Sequence, residues 1–328
     1  MPSSSPRTMD SSKYSSQRDE RIATELKRFV REFQTIEISV TPEDAPAAIH
    51  ASVHPPYMLQ SVTLIDNTEK FQQLAARHRA RLQRVRAARE NAPDDVKEFL
   101  RRHFYDGAGR EKHIADGRAP LREIKGLLQA AVDQGVIAPS GGKQQPDSSD
   151  LRQWLKTYGI GIDCSGFVQQ ALQRLIDASV AEMDNISHRD ANADVPFLRC
   201  GWVYRMITEP AGEPAPLVGP VPTPLQARPG DIAVNRHHMR IVVDIDVDPK
   251  AGTIFTLAEA TSASDIPEGQ EHEEADIGPR FVQVHFPQPD QPIAEQIPRK
   301  KRLGDAEFQV DEAENTYVIG RYRQLDQL

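Results

Sequence analysis

The chain has 328 residues with a net charge of −8, 27% charged and 6% aromatic residues, and only two cysteines. That length predicts about two domains, and the acidic balance speaks against nucleic acid as a main partner. Two cysteines exclude a disulfide framework, and no run approaches the roughly 18 apolar residues of a membrane helix, so no membrane span is expected.

Residues 1–18 are Ser-rich and charged and are expected to be disordered. They lack the apolar segment of a secretory signal, which implies a cytoplasmic protein or one exported by a signal-independent route. A helix is predicted over 19–33, with Ile22, Leu26, Phe29, Val30 and Phe33 along one face. Prolines interrupt 41–56, which reads as irregular and flanked by short strands at 35–40 and 60–65. Further helices are predicted over 68–91, 93–104 and 121–134. The first is dense in arginine (Arg77, Arg79, Arg81, Arg84, Arg86 and Arg89) and is either a solvated face or an anion-docking surface. Residues 139–149 have the composition of a linker. They divide a mostly helical N-terminal region, 19–138, from a second unit, 150–328.

The second unit carries the chemistry. In Asp163-Cys164-Ser165-Gly166-Phe167-Val168 a cysteine stands where a helix begins, because Phe167, Val168, Ala171, Leu172, Leu175 and Ile176 follow at the spacing of one buried face. Asp163 is a favoured N-cap type. A thiol at this point meets the positive end of the helix dipole and the unpaired N–H groups of the first turn, the setting of nucleophilic cysteines. The alternative is a small buried apolar residue. Cys200, in an apolar context, reads as structural. Residues 208–224 hold six prolines and form a loop or lid rather than a helix.

A nucleophilic thiol needs a base, and the base needs an orienter. Pro229-Gly230-Asp231 marks a tight turn, His237 and His238 follow, and Ile241-Val242-Val243 begins a strand. A second strand over 253–258 leads into Glu259. Two paired strands would set His238 beside Glu259, with the helix start packed against them. Only one of His237 and His238 can face the thiol. No histidine pairs with a cysteine at metal-ligand spacing, so neither a metal nor another cofactor is expected. The acidic 268–276 and basic 299–302 runs read as surface loops, and strands at 281–286 and 316–319 would complete an antiparallel sheet.

The Asp163–Val168 motif, the Pro229-Gly230-Asp231-Ile232 turn, the His238–Val243 strand and the polar strand end at Glu259 together resemble the NlpC-type cell-wall cysteine peptidases. The resemblance covers about a third of the chain. It implies an α+β protein whose papain-like catalytic domain packs the nucleophile helix on an antiparallel sheet, behind the helical N-terminal region. It implies Cys164 as nucleophile, His238 as base by its place in the aligned strand, and Glu259 as orienter, an acid where the family usually has His, Asn or Gln. The implied substrate is a peptidoglycan stem peptide or muropeptide, cut between D-glutamate and a diamino acid. Asp163 and Ser165 would bind its free amine. Tyr158 is the candidate for the family's substrate-facing tyrosine, which normally stands further upstream with a Gly-Gly pair. An amidase, deamidase or acyltransferase with the same Cys-His site, or a non-enzymatic binding protein, is the alternative. The N-terminal region would then serve docking or loading, with a secretion machine or an immunity protein as its partner.

Overall fold

The computed structural model describes residues 17–40, 49–53, 55–56, 69–105, 114, 117–182, 199–209, 217–235, 238–248, 252–261, 278–302, 307, 309–310 and 317–326. Helix α1 (Gln17–Gln34) buries Leu26, Phe29, Val30 and Phe33 of the expected stripe together with Ala23, while Ile22 is half-buried. The strand β1 (Ile36–Val40) follows at once, with Ile36, Ile38 and Val40 inward. It pairs antiparallel with β2 (Ile49–Val53). This second strand lies inside the segment expected to be irregular. The prolines of that segment fall on either side of 47–54, and the free stretch alternates, with Ala51 and Val53 buried and Ser52 exposed. The strand expected at 60–65 lies outside the described residues.

Helices α2 (Glu69–Glu90), α3 (Asp94–Phe104) and α4 (Leu121–Asp133) follow as predicted. Gln129 of α4 holds the small sheet by accepting from the Ser39 amide at 3.0 Å and donating to its carbonyl at 2.8 Å. In α2, Arg79, Arg84 and Arg86 are exposed. Arg89 is structural: its Nε donates to the Tyr158 carbonyl at 2.9 Å, and its guanidinium lies 4.7 Å from the Phe104 ring. Residues 139–149 lead into α5 (Ser148–Tyr158), whose N-cap Asp147 forms a capping box with Asp150.

Helix α6 (Cys164–Glu182) and helix α7 (Cys200–Thr208) precede the main sheet. Its strands are β3 (Val218–Val221), β4 (Ile232–Val234), β5 (Met239–Asp248), β6 (Gly252–Thr261), β7 (Gly278–Phe286), β8 (Arg299–Arg302), β9 (Gln309–Val310) and β10 (Val318–Tyr322), after which α8 (Arg323–Asp326) ends the described chain. The order across the sheet is β3-β10-β4-β5-β6-β7-β8-β9, with antiparallel neighbours throughout. The part of the proline-rich segment that is described supplies edge strand β3, where a missing N–H is tolerated. The basic 299–302 run, expected as a surface loop, is strand β8. The acidic 268–276 run lies outside the described residues.

Alternation along the strands builds two cores. Met239, Ile241, Val243, Ala258 and Ala260 face the helices. Val242, Phe255, Leu257, Val282 and Val284 fill the opposite side with Phe286, Tyr317 and Ile319. The helix-side core includes Leu26 and Phe33 of α1 as well as Phe167 and Leu172 of α6. Phe29 and Phe33 pack against Phe167, tilted and edge-on, with ring centroids 5.3 and 5.7 Å away. The core is therefore continuous across residues 139–149, and the boundary expected there does not separate two cores. The mixed α+β class with an antiparallel sheet agrees with expectation.

Candidate active site

The site is assembled at the start of α6. Helix α5 ends at Gly159 in the left-handed region, φ 67°, a conformation that favours glycine. The chain then turns through buried Ile160 and Ile162. Two carbonyls from the N-terminal region brace this turn: Pro56 accepts from the Ile162 amide at 3.1 Å, and Gly117 from the Asp163 amide at 2.9 Å. Asp163 caps the helix, its Oδ1 accepting from the Gly166 amide at 2.5 Å and its carbonyl from the Phe167 amide at 2.9 Å. Gly166 is required by packing, since a Cβ there would stand 2.6 Å from the Gly117 carbonyl oxygen. Gln170, one turn on, donates to the carbonyls of Arg118 and Ala119 at 3.1 and 2.7 Å.

Cys164 is thus the first residue of a capped, braced helix, with its side chain buried. Gly166 and Phe167 spend their amides on Asp163. Among the described residues, the amides of Cys164 and Ser165 have no backbone partner, so they are the donors left at the helix start.

His238 reaches this point from the sheet. Between β4 and β5 the Asn235 amide donates to the His238 carbonyl at 3.0 Å, and the His238 amide to Asn235 Oδ1 at 2.7 Å. These reciprocal bonds tie His238 to Asn235. The His238 side chain, 12% exposed, hydrogen-bonds Glu259 Oε2 through Nε2 at 3.1 Å. The Cys164 side chain is near enough to the imidazole to raise its pKa. His237 lies outside the described residues.

Glu259 is fully buried on β6 and sits in a basic cross-strand cluster. Ile241 pairs with Ala258, so Arg240 falls opposite Glu259 on one side, and Arg280 pairs with Glu259 on the other. Arg240 Nε donates to Oε2 at 2.5 Å, Arg280 Nε to Oε1 at 2.8 Å, and Lys300 Nζ stands 4.0 Å from Oε2. Burial alone would raise the carboxyl pKa. Lys300, Arg240 and Arg280, with the His238 hydrogen bond, outweigh it and hold Glu259 well below the usual carboxylate range. At His238, burial and the Arg240 charge pull the imidazole down, whereas the interactions with Cys164 and Glu259 prevail and raise it to about 9.

The structure brings Cys164, His238 and Glu259 into one chain of contacts. Asp163 and Ser165 flank the thiol and are buried, and Asp163 Oδ1 is engaged as the helix cap. Tyr158 belongs to the buried face of α5, with its ring 5.4 Å from Trp154. Burial, then the nearby Asp95 on α3, raises its hydroxyl pKa. Cys200 starts α7 and donates its thiol to the Asn235 carbonyl at 3.0 Å. Sequence reasoning missed Arg240, Arg280 and Lys300. A charged residue inside the apolar Met239–Val243 run was the available signal, because a buried guanidinium demands a counter-ion. No residue cluster suited to a metal ion occurs among the described residues, and no helix among them is long and apolar enough to cross a membrane. No family model, curated protein or solved structure matches the chain.

Proposed function

We propose that this chain is a cysteine-dependent amide hydrolase, and within that class a peptidoglycan endopeptidase cutting stem peptides between D-glutamate and a diamino acid. The observation that carries the reading is the contact chain from Cys164, first residue of α6, through His238 to the buried carboxylate of Glu259. A helix-borne thiol, an imidazole and an orienting carboxylate are the parts of nucleophilic acyl transfer. His238 takes the thiol proton, or already holds it as the imidazolium of a thiolate–imidazolium pair, and the sulfur attacks the amide carbonyl to form a tetrahedral adduct. The amides of Cys164 and Ser165 supply donors for its oxyanion. The C–N bond breaks as His238 returns the proton to the leaving amine. Water, deprotonated by His238, then hydrolyses the thioester. An imidazole protonated up to about pH 9 is suited to the donating half of that cycle.

Support for the wall substrate rests on the motif resemblance. The residues expected to read the stem peptide have structural work of their own. Asp163 caps α6 and Tyr158 packs on Trp154, which favours keeping a non-wall amidase, deamidase or acyltransferase as the second reading. Incubating purified protein with muropeptides and reading products by mass spectrometry tests both. Cleavage at the D-glutamyl amide, absent in Cys164→Ala, supports the endopeptidase. Intact muropeptides with hydrolysis of other amide or thioester substrates move the function to the second reading.

A further inference from the structure

We propose that Arg240 is a positioning residue: by sharing Glu259 Oε2 with His238, it weakens the hold of the orienting carboxylate on the imidazole. The inference rests on reading Cys164, His238 and Glu259 as the reactive site, and it deepens that reading.

A lone buried carboxylate beside an imidazolium holds its proton tightly, because charges interact strongly where water is excluded. Such an orienter would fix the ring but hinder it from returning a proton to a leaving amine. Here the same oxygen that accepts from His238 at 3.1 Å accepts from Arg240 Nε at 2.5 Å. The second oxygen is taken by Arg280. Arg240 is fully buried, and its guanidinium lies 5.3 Å from the Tyr317 ring centroid. It stands two residues after His238, one strand away from Glu259, so the sheet register fixes the pair. Facing His238 are Cys164 from α6, Glu259 from β6 and Arg240 from its own strand. Glu259 in turn faces Arg240, Arg280 from β7 and Lys300 from β8.

The pair therefore leads to an ordering that a merely structural arginine would not produce. Glu259→Gln removes the anion and leaves the cations, so the His238 titration midpoint falls. Arg240→Met removes a cation and exposes the imidazole to the carboxylate, so the midpoint rises. Each single change is expected to move it by about one pH unit, the scale of one charge within contact distance. The double variant carries the wild-type net charge and returns the midpoint to between the two singles, close to wild type. Arg240→Lys keeps the charge and stays near wild type even where stability drops.

The measurement is an NMR titration of protein labelled with ¹⁵N-histidine, with His238 assigned by its loss in His238→Gln and folding monitored by circular dichroism. An Arg240→Met midpoint that stays put or falls, or a double variant outside the interval set by the singles, overturns the proposal. If Arg240→Met does not fold, Arg240→Gln, which removes the same charge and keeps a hydrogen-bonding side chain, replaces it in the same cycle with the same ordering required. No substrate enters this titration. Failure to cut muropeptides therefore refutes the proposed substrate and leaves the ordering standing, whereas a wrong ordering refutes Arg240 alone.

Discussion

Cys164 and Cys200 each stand at the first residue of a helix, yet they have different surroundings. The Cys164 side chain meets the ring of His238. The Cys200 thiol donates to the Asn235 carbonyl, within the turn that presents that histidine. A helix start was the reason to single out Cys164 in the sequence, and Cys200 shares it. The difference between the two lies in the partner. An imidazole can take a proton from sulfur, whereas a backbone carbonyl can only accept a hydrogen bond from a thiol that keeps it.

The largest expected effect breaks the comparison if it fails. Cys164→Ala should reduce turnover by roughly 10³-fold or more, the scale of losing a catalytic nucleophile. Cys200→Ser, which retains a donor for Asn235, should keep most of it. Steady-state rates and iodoacetamide labelling with site mapping check this together, and faster labelling of Cys200 than of Cys164 in native protein would reverse the assignment.

Next in size is the base. His238→Ala should cost at least about 10²-fold in rate, with His237→Ala close to wild type. The opposite ranking would mean that the ring facing the thiol is the neighbouring one, since adjacent strand residues point to opposite sides.

How far the site was legible depended on whether its parts are local. Cap, cysteine and apolar stripe of α6 sit within fifteen residues and obey helical spacing, so they could be read directly. Glu259 stood out as a polar end to an apolar strand. Arg240 and Arg280 come from the two strands flanking Glu259, where the pairing register sets them beside it, and Lys300 reaches the same carboxylate from the next strand with its long side chain. Lys300 was hidden further by its basic neighbours, which made strand β8 look like a solvated loop. Tyr158 is the converse case. Leu151, Trp154, Leu155 and Tyr158 repeat at helical spacing, so its place in the core of α5 was written in the pattern, and the motif resemblance drew attention away from it. The bracing by Pro56 and Gly117 was not legible at all, because backbone carbonyls leave no mark in a sequence.

That bracing separates the two cysteine-bearing helices in a second way, and Gly166→Ala sharpens it. The added methyl would lie 2.6 Å from the Gly117 oxygen and 3.1 Å from Arg118 Cα, both backbone atoms that cannot swing aside. A loss of about 1–3 kcal/mol in unfolding free energy is expected, as for other overpacked sites, with the rate falling as Cys164 shifts. Denaturant unfolding and activity measured on one preparation check it. An unchanged midpoint would show that residues 117–119 do not constrain the nucleophile helix.

The smallest effect is the pH dependence of stability. The folded-state pKa of His238 is raised above 6.5 to about 9. Its imidazolium therefore adds stability that is complete below pH 6.5 and disappears as pH rises through 9. Glu259 has the opposite sign: its pKa is lowered, so its contribution is present above the ordinary carboxylate value and is lost as pH falls through the folded one. Between those limits both charges favour the fold. Urea midpoints followed from pH 6 to pH 10 should decline in wild type, and His238→Gln should remove the part of the decline that belongs to this ring. Cys200→Ser, which leaves the imidazole and both its partners in place, should follow the wild-type slope. Cys164→Ala deletes one of the interactions that raise the imidazole, so its decline should start at the same pH as in wild type but end at lower pH and be smaller overall. Matching slopes for the two cysteine variants would mean that the sulfur of Cys164 is no closer to the ring, energetically, than that of Cys200.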